Sequence, residues 1–331
     1  MSKHSNVAFF IPHKGCKNLC SFCNQREITG QAVMPSPAEI DAVLSDSAVR
    51  MGNSAKNAEI AFFGGSFTAI DRDCMVALLE TANKHLDKFA GIRISTRPDC
   101  IDSNILDILK RYGVTSIELG AQSMCESVLK ANLRGHTAKD VENASDLIKE
   151  YSFSLGLQMM TGLYTADFDK DRYTAQCFIK MHPDTVRIYP TVIIDNTLLA
   201  DLYKKGTYNT YSLEESVKLC SELMLLFEEN KIKVIRVGLH YSESLEKNIV
   251  YNNYHPAFKE LCENRIFRER IDGKLTEVSS NNITFFVSPK SKSKLIGQHR
   301  CNIDYLNSLG YNVKIKDDDS LEKYEIRIID T

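Results

Sequence analysis

The sequence predicts an α/β protein, a parallel sheet curled into a complete or partial (βα) barrel and followed by a small α+β unit. Three observations predict it. Apolar runs of strand length recur about every thirty residues with amphipathic helical stretches between them, hairpin turns are scarce, and polar residues or glycines gather where the runs end. The runs cover residues 7–11, 59–63, 92–96, 116–119, 154–159, 185–189 and 233–237. The residues at or near their carboxyl ends are Gly64, Gly65, Ser95, Gln122, Gln158 and Arg187. A barrel mouth collects such residues from successive strands, which favours a barrel over an open doubly wound sheet.

Helix starts are readable between the runs. Ser36-Pro37-Ala38-Glu39 has the form of a capping box with proline at the first helical position. Thr137 followed by Asp140 has the looser Ser/Thr-x-x-acid form, and Ser212 precedes a helix whose apolar face runs Leu213, Val217, Cys220, Met224, Phe227. Gly113, after Lys110-Arg111-Tyr112, reads as a helix stop.

The strand–helix repeat stops near residues 253–269, where another helix begins, and the polar stretch 272–282 reads as a boundary. Residues 1–271 then form the barrel domain with its trailing helix, and 283–331 a small basic domain. The small domain reads strand (283–287), helix (290–296), helix (300–309), strand (312–316), strand (324–329). The net charge of −2 hides its bias: from Ile283 to Lys316, Lys290, Lys292, Lys294, Arg300, Lys314 and Lys316 face one acid, Asp304. Such a run is either a solvated face or the footprint of a polyanion.

Composition is that of a soluble globular chain, 43% hydrophobic and 25% charged, with no apolar run long enough to span a bilayer and no secretion pattern in the first fifteen residues. Of the ten cysteines, Cys74, Cys100, Cys125, Cys177, Cys220, Cys262 and Cys301 are scattered singly among apolar neighbours. That is the usage of buried free thiols in a reducing compartment, so a cytoplasmic protein without a membrane partner is expected.

The remaining three, Cys16, Cys20 and Cys23, are spaced C-x3-C-x2-C with Phe22 before the last thiol. Three thiolates on one loop suit a metal centre, and three rather than four leave one corner of a 4Fe–4S cluster open to a ligand. A structural zinc site needs a fourth donor, for which His13 is the nearby candidate. One βα unit later comes Phe62-Phe63-Gly64-Gly65-Ser66-Phe67, where paired glycines let a backbone approach a ligand closely.

Together these motifs resemble the radical S-adenosylmethionine (SAM) superfamily over about residues 7–250. Within it the chain is most similar to the radical domain of the Elongator catalytic subunit family. The stretches Ile94-Ser95-Thr96-Arg97-Pro98-Asp99, Ile117-Glu118-Leu119-Gly120-Ala121-Gln122, Leu133-Arg134-Gly135-His136-Thr137 and Arg187-Ile188-Tyr189-Pro190-Thr191 carry that likeness. The resemblance implies a partial barrel of radical SAM type, with a 4Fe–4S cluster on Cys16, Cys20 and Cys23. It implies S-adenosylmethionine bound near Phe22, Gly64, Gly65 and Ser66, with Ser95, Gln122, Arg134 and Gln158 lining the rest of the cofactor site. Arg187 and Tyr189 would face the substrate as catalytic residues. The chemistry implied is reductive cleavage of S-adenosylmethionine to a 5′-deoxyadenosyl radical, which requires an electron donor such as flavodoxin or ferredoxin. The Elongator family carries an acetyltransferase domain after the radical domain. These 331 residues have no room for one, so acetyl-coenzyme A is not implied.

The small domain is similar to the core of a KH domain, in which a GxxG loop between two helices clamps a nucleic-acid backbone. Here the loop reads Gly297-Gln298-His299-Arg300, with arginine in place of the second glycine. The expected RNA contacts are Lys290, Lys292, Lys294, Gly297 and Arg300. The leading expectation is a radical SAM enzyme that modifies RNA, in particular tRNA. A radical SAM enzyme acting on a small molecule, as coproporphyrinogen oxidases do, and a zinc-stabilised RNA-binding protein remain alternatives.

Overall fold

The structure is a computed structural model and describes residues 5–11, 19–24, 33–251 and 253–331. It divides into two compact units, one of Met1–Thr210 with Asn230–Asn252 and one of Tyr211–Glu229 with Asn253–Thr331.

The first unit is built on seven strands: β1 (Ser5–Ile11), β2 (Ala58–Gly64), β3 (Gly91–Thr96), β4 (Val114–Gln122), β5 (Ser154–Thr161), β6 (Thr185–Pro190) and β7 (Lys233–Val237). They pair in sequence order, every neighbour parallel, from β1 at one edge to β7 at the other. The sheet is thus a curled partial barrel. Helices α1 (Pro37–Met51), α2 (Arg72–Asn83), α3 (Ser103–Arg111), α4 (Glu126–Ala131), α5 (Ala138–Glu150), α6 (Phe168–Lys180) and α7 (Leu198–Lys204) make the crossovers. The helix-start reading holds: Ser36 and Glu39 form a reciprocal capping box on α1, as do Thr137 and Asp140 on α5. Gly113 sits at φ +78° just past α3.

Alternation along the strands separates two faces. Ile92, Ile94, Ile117, Leu119, Leu157 and Ile188 are fully buried, each of the order of 1.5–3 kcal/mol of transfer free energy. The residues between them, Arg93, Ser95, Glu118, Gln158 and Arg187, share the opposite face, where their side chains bond to one another.

The second unit contains α8 (Leu213–Glu229), α10 (Phe258–Leu275) and the mixed sheet β8 (Asn282–Val287), β9 (Asn312–Asp317) and β10 (Ile326–Asp330), with α11 (Lys292–Ile296) and α12 (Cys301–Ser308) between β8 and β9. A short helix α9 (Glu243–Lys247) follows β7 in the first unit. Strand order is β10-β8-β9, with β8 parallel to β9 and antiparallel to β10. Helix α10 runs on through Asp272 and Gly273 to Leu275, inside the polar stretch 272–282. That helix packs on α8, α11, α12 and β10 within the same unit. Among the described residues no helix is long and apolar enough to cross a membrane.

Candidate active site at the strand ends

The cysteine loop is fixed by backbone geometry before any ligand is considered. The Cys23 N–H donates to the Cys20 carbonyl at 3.1 Å, closing the C-x2-C segment into one tight turn. Ser21, inside that turn, is 1% exposed. Its N–H donates to the Asn132 carbonyl (3.1 Å) and its hydroxyl to Asn132 Oδ1 (2.7 Å), while its carbonyl accepts from Leu199 N–H (2.9 Å). Asn132 is itself fully buried and donates from Nδ2 to the carbonyls of Val128 and Tyr164. Every polar group of that side chain is hydrogen-bonded, and its Oδ1 is the one that holds the cysteine loop.

Arg134 joins the loop to the strand ends. Its Nη1 lies 2.9 Å from Cys20 Sγ, its Nη2 donates to the Gly120 carbonyl, and its guanidinium stands 5.8 Å from the Phe22 ring centroid. Phe22 also packs against a cluster of Ile193, Leu199, Ala200 and Tyr208. Gln122 ends β4 at φ +67°, at a break in register with β5, and its Oε1 is buried without a hydrogen-bond partner. The Nε of Arg134 is likewise buried and unpartnered. Such groups are costly to leave unpaired. Gly120 lies between them: a Cβ there would stand 3.2 Å from Gln122 Nε2 and 3.6 Å from Arg134 Nη2.

The glycine pair after β2 has a definite structural cause. Gly64 adopts φ +109°, and a Cβ on it would lie 2.4 Å from the Phe10 ring and 2.7 Å from the Ile11 carbonyl oxygen. The Gly65 N–H already donates to that carbonyl at 2.6 Å, so it extends the β1–β2 pairing. Ser66, 1% exposed, bonds Thr96 Oγ1 and accepts from Arg97 N–H, tying the end of β2 to β3.

Deeper in the strand layer stands a carboxylate to which the sequence reading assigned no role. Glu118, 1% exposed, accepts from Arg187 Nε (2.5 Å) and Nη2 (2.8 Å), from Arg93 Nη1 (3.1 Å) and from Gln158 Nε2 (2.8 Å). Gln158 also lies 3.3 Å from Ser95 Oγ. Space for Glu118 comes from Gly156 opposite it on β5, where a Cβ would meet Glu118 Cγ at 2.7 Å. Burial alone would push the Glu118 carboxyl up, but the guanidiniums of Arg187 and Arg93 hold it below the ordinary carboxylate value. Arg187 is half-buried, stacked 4.9 Å from the Phe63 centroid and bonded to the Tyr189 hydroxyl, whose pKa burial raises. A charged residue inside an apolar strand (Ile117-Glu118-Leu119) was the available signal for Glu118. It means a buried ion only once Arg93 and Arg187 are known to flank it.

Cys16 and His13 lie outside the described residues. Among the described residues no group of three His, Cys, Asp or Glu side chains comes together to hold a metal.

In the second unit the expected RNA contacts separate into two kinds. Lys294 Nζ is bound to the buried Glu263 at 3.0 Å, and Lys292 Nζ to Asp317 at 3.1 Å. Lys290 and Arg300 are exposed and have no acidic partner among the described residues. Gly297 (φ +84°) precedes His299 and Arg300, both in the left-handed region, and Arg300 stands at the N-cap of α12. A cavity of about 340 Å³ under this turn is lined by Glu260, Glu263, Asn264, Ser293, Lys294, Gly297 and Gln298. Glu260 and Glu263 outnumber Lys294 in that lining, and the net negative charge disfavours a phosphate inside it.

A seven-stranded parallel partial barrel with a C-x2-C turn at its strand ends is the scaffold of a cluster-dependent enzyme. Comparison with known families agrees. The model of the Radical SAM superfamily matches residues 10–172 and that of the Radical_SAM C-terminal domain matches residues 183–268, so the chain belongs to the radical SAM superfamily. It is 32% identical over 200 residues to Elongator complex protein 3 of Homo sapiens, covering 54% of this chain and 36% of that protein. It is 29% identical over 198 residues to the tRNA uridine(34) acetyltransferase of Methanocaldococcus infernus, covering 52% and 36%. The chain therefore spans about a third of the length of the curated relatives it matches. The solved structure of the archaeal Methanocaldococcus infernus Elp3 with an N-terminal deletion superposes with a TM-score of 0.64 at 18% identity, over 81% of this chain and 64% of that one, a likeness of fold.

The cofactors are those of the superfamily, a 4Fe–4S cluster and S-adenosylmethionine. The described residues fit them: two thiols share one turn, and the buried Gln122 Oε1 and Arg134 Nε lack protein partners beside that loop. When bound, the pair supplies one-electron cleavage of a sulfonium C–S bond. The chain's own part is to anchor the loop through Asn132 and to hold a cation, Arg134, against Cys20.

Proposed function

We propose that this chain is an RNA-modifying radical SAM enzyme, acting on tRNA in the cytoplasm with a flavodoxin- or ferredoxin-type electron donor. The observation that carries the chemistry is the Arg134 bridge, which joins Cys20 and Phe22 to the carboxyl end of β4 at Gly120. Cys16, Cys20 and Cys23 would ligate the cluster. Phe22, Gly64, Gly65, Ser66, Ser95, Gln122, Arg134 and Gln158 are proposed around S-adenosylmethionine, with Ser66 acting by fixing the turn. Tyr189 is proposed at the substrate side, with Arg187 as its positioning residue. RNA as the substrate is supported by one relative, a tRNA uridine(34) acetyltransferase, and by the unpaired cations Lys290 and Arg300. In this reading residues 283–331, the carboxyl-terminal part of the second unit, form a KH-like module, and Lys290, Lys292, Lys294, Gly297 and Arg300 approach the nucleic acid.

The test has two arms. Anaerobically reconstituted protein with a strong reductant should release 5′-deoxyadenosine, and a Cys20→Ala/Cys23→Ala variant should not. Nucleosides from cells lacking the protein should show one tRNA modification missing by mass spectrometry. A colourless protein containing one zinc and no iron would overturn the chemistry, and an unchanged nucleoside profile would overturn the RNA assignment.

A further inference from the structure

The second unit's sheet has one face buried under helices and one face whose chemistry neither the fold nor the cofactors explain. Ile283, Phe285, Val287, Ile326 and Ile328 are buried. The residues alternating with them form two rows across the three strands. Register puts Lys316, Phe286 and Arg327 in one row and Lys314, Thr284 and Ile329 in the next. Lys314 and Lys316 are exposed, Arg327 is 52% exposed at its side chain and Ile329 is 39% exposed, while on the central strand Phe286 is half-buried and Thr284 is buried beneath them.

The first row is an assembled stack rather than a set of loose side chains. The Arg327 guanidinium lies 4.1 Å from the Phe286 ring centroid and Lys316 Nζ lies 6.0 Å from it. Arg327 is fixed from the other side by Asp318 at 2.7 Å. Hydrogen bonds from Ser320 and the Arg327 charge hold the Asp318 carboxyl well below its ordinary value, at about 2, so that anchor stays ionised. The other acids nearby are also engaged: Asp317 with Lys292, and Asp330 with the amides and hydroxyl of Ser279 and Ser280. Lys314 and Lys316 have no acidic partner among the described residues. The face therefore carries a net positive charge beside a flat guanidinium–aromatic pair held in place before any ligand arrives.

From this arrangement we infer that the open face of β8–β9–β10 is a docking surface for single-stranded RNA, distinct from the Gly297–Arg300 turn. A base stacks on the Arg327–Phe286 pair while Lys314 and Lys316 meet the phosphates. Pre-ordering by Asp318 lowers the entropy lost on docking. A protein partner would want this patch apolar at its centre, and the cations flanking the ring disfavour that. This inference rests on the RNA reading above and adds where the strand lies.

The experiment uses the full chain and a labelled single-stranded RNA oligonucleotide, with a duplex of equal length as comparison, titrated across salt concentrations. Lys314→Ala/Lys316→Ala should weaken single-strand binding roughly tenfold. It should also reduce the slope of log affinity against log salt by about 1.4, the loss of two phosphate contacts. Arg327→Lys, which keeps the charge but not the plane, should weaken binding roughly tenfold with the slope unchanged. Circular dichroism melts of both variants should match the parent, since the altered groups are exposed. If both variants bind as the parent does while Lys290→Ala/Arg300→Ala abolishes binding, the sheet-face inference is overturned and the RNA reading stands. A duplex bound as tightly as the single strand overturns the stacking. A parent chain that binds no RNA at low salt overturns the RNA reading itself, whereas its release of 5′-deoxyadenosine is a separate measurement that this outcome leaves standing.

Discussion

Replacing Glu118 by glutamine tests whether the ions inside the strand layer hold the barrel unit together. The carboxylate receives four hydrogen bonds, three of them from two arginines, at 1% exposure. Glutamine keeps the shape and removes the charge. Arg93 retains Glu59 at 2.7 Å, but Arg187 loses its carboxylate partner. Removing one partner of a buried pair costs about 3–5 kcal/mol. For a cooperative unit of about this size that lowers the melting temperature by roughly 6–20 °C. Arg187→Met should cost less, because Glu118 then still has Arg93 at 3.1 Å. A double variant, Glu118→Leu/Arg187→Leu, should lose less than Glu118→Gln, since a desolvated pair exchanged for apolar groups is near neutral. Thermal melts by circular dichroism on the cluster-loaded protein give all three values. A fall below about 2 °C for Glu118→Gln, or a double variant worse than that single, would refute the reasoning. It would return Arg187 to the role of a direct substrate contact.

Three further outcomes follow from geometry. Gly64→Ala forces a Cβ to 2.4 Å from the Phe10 ring at φ +109° and should cost about 2 kcal/mol or more, whereas Gly206→Ala, at φ +72° with open space around it, should cost about 1 kcal/mol; equal urea midpoints for the two would count against the steric account. Asn132→Ala leaves the Ser21 hydroxyl and the Tyr164 carbonyl unpaired at a cost of about 1–3 kcal/mol, and should speed iron loss to a chelator several-fold; loss at the parent rate would show that the loop is held by other means. His136 sits at 4% exposure with Nε2 bonded to the Ala121 carbonyl, and burial, followed by the Arg134 charge, pushes its pKa down to about 4. The unfolded chain binds that proton near pH 6.5, so the stabilisation is complete above pH 6.5 and is lost as pH falls toward 4, by about 3 kcal/mol in all. Melts between pH 7 and 4 should show that loss in the parent and a flatter profile in His136→Gln, with the Glu118 contribution fading only below its depressed carboxylate range.

The strand layer was legible because each run carries its own local cause. β-rich apolar stretches, the capping residues Ser36 and Thr137, and the stop at Gly113 each act within a few residues of themselves. Long-range pairings were not legible. Lys292 and Lys294 looked like a continuous cationic run, yet their partners Asp317 and Glu263 come from a distant strand and a distant helix. Glu118 read as one polar residue in a strand until register set it opposite Ser95 and Gly156. The anchoring by Asn132 had no sequence pattern at all, since a buried asparagine is defined by the carbonyls around it. The reach of α10 into the polar stretch 272–282 was not legible either, since packing on its neighbours carries the helix through Gly273 to Leu275.

The chain leaves the first unit after Thr210, builds α8, and returns at Asn230 to lay down β7. During synthesis α8 emerges before β7 and before α10, with which it packs. Its greasy side, including Leu219, Leu223, Met224 and Phe227, must wait for a mate still inside the ribosome. Trimming the tail would prolong the wait indefinitely, so the carboxyl-terminal segment cannot be handled as a removable appendage.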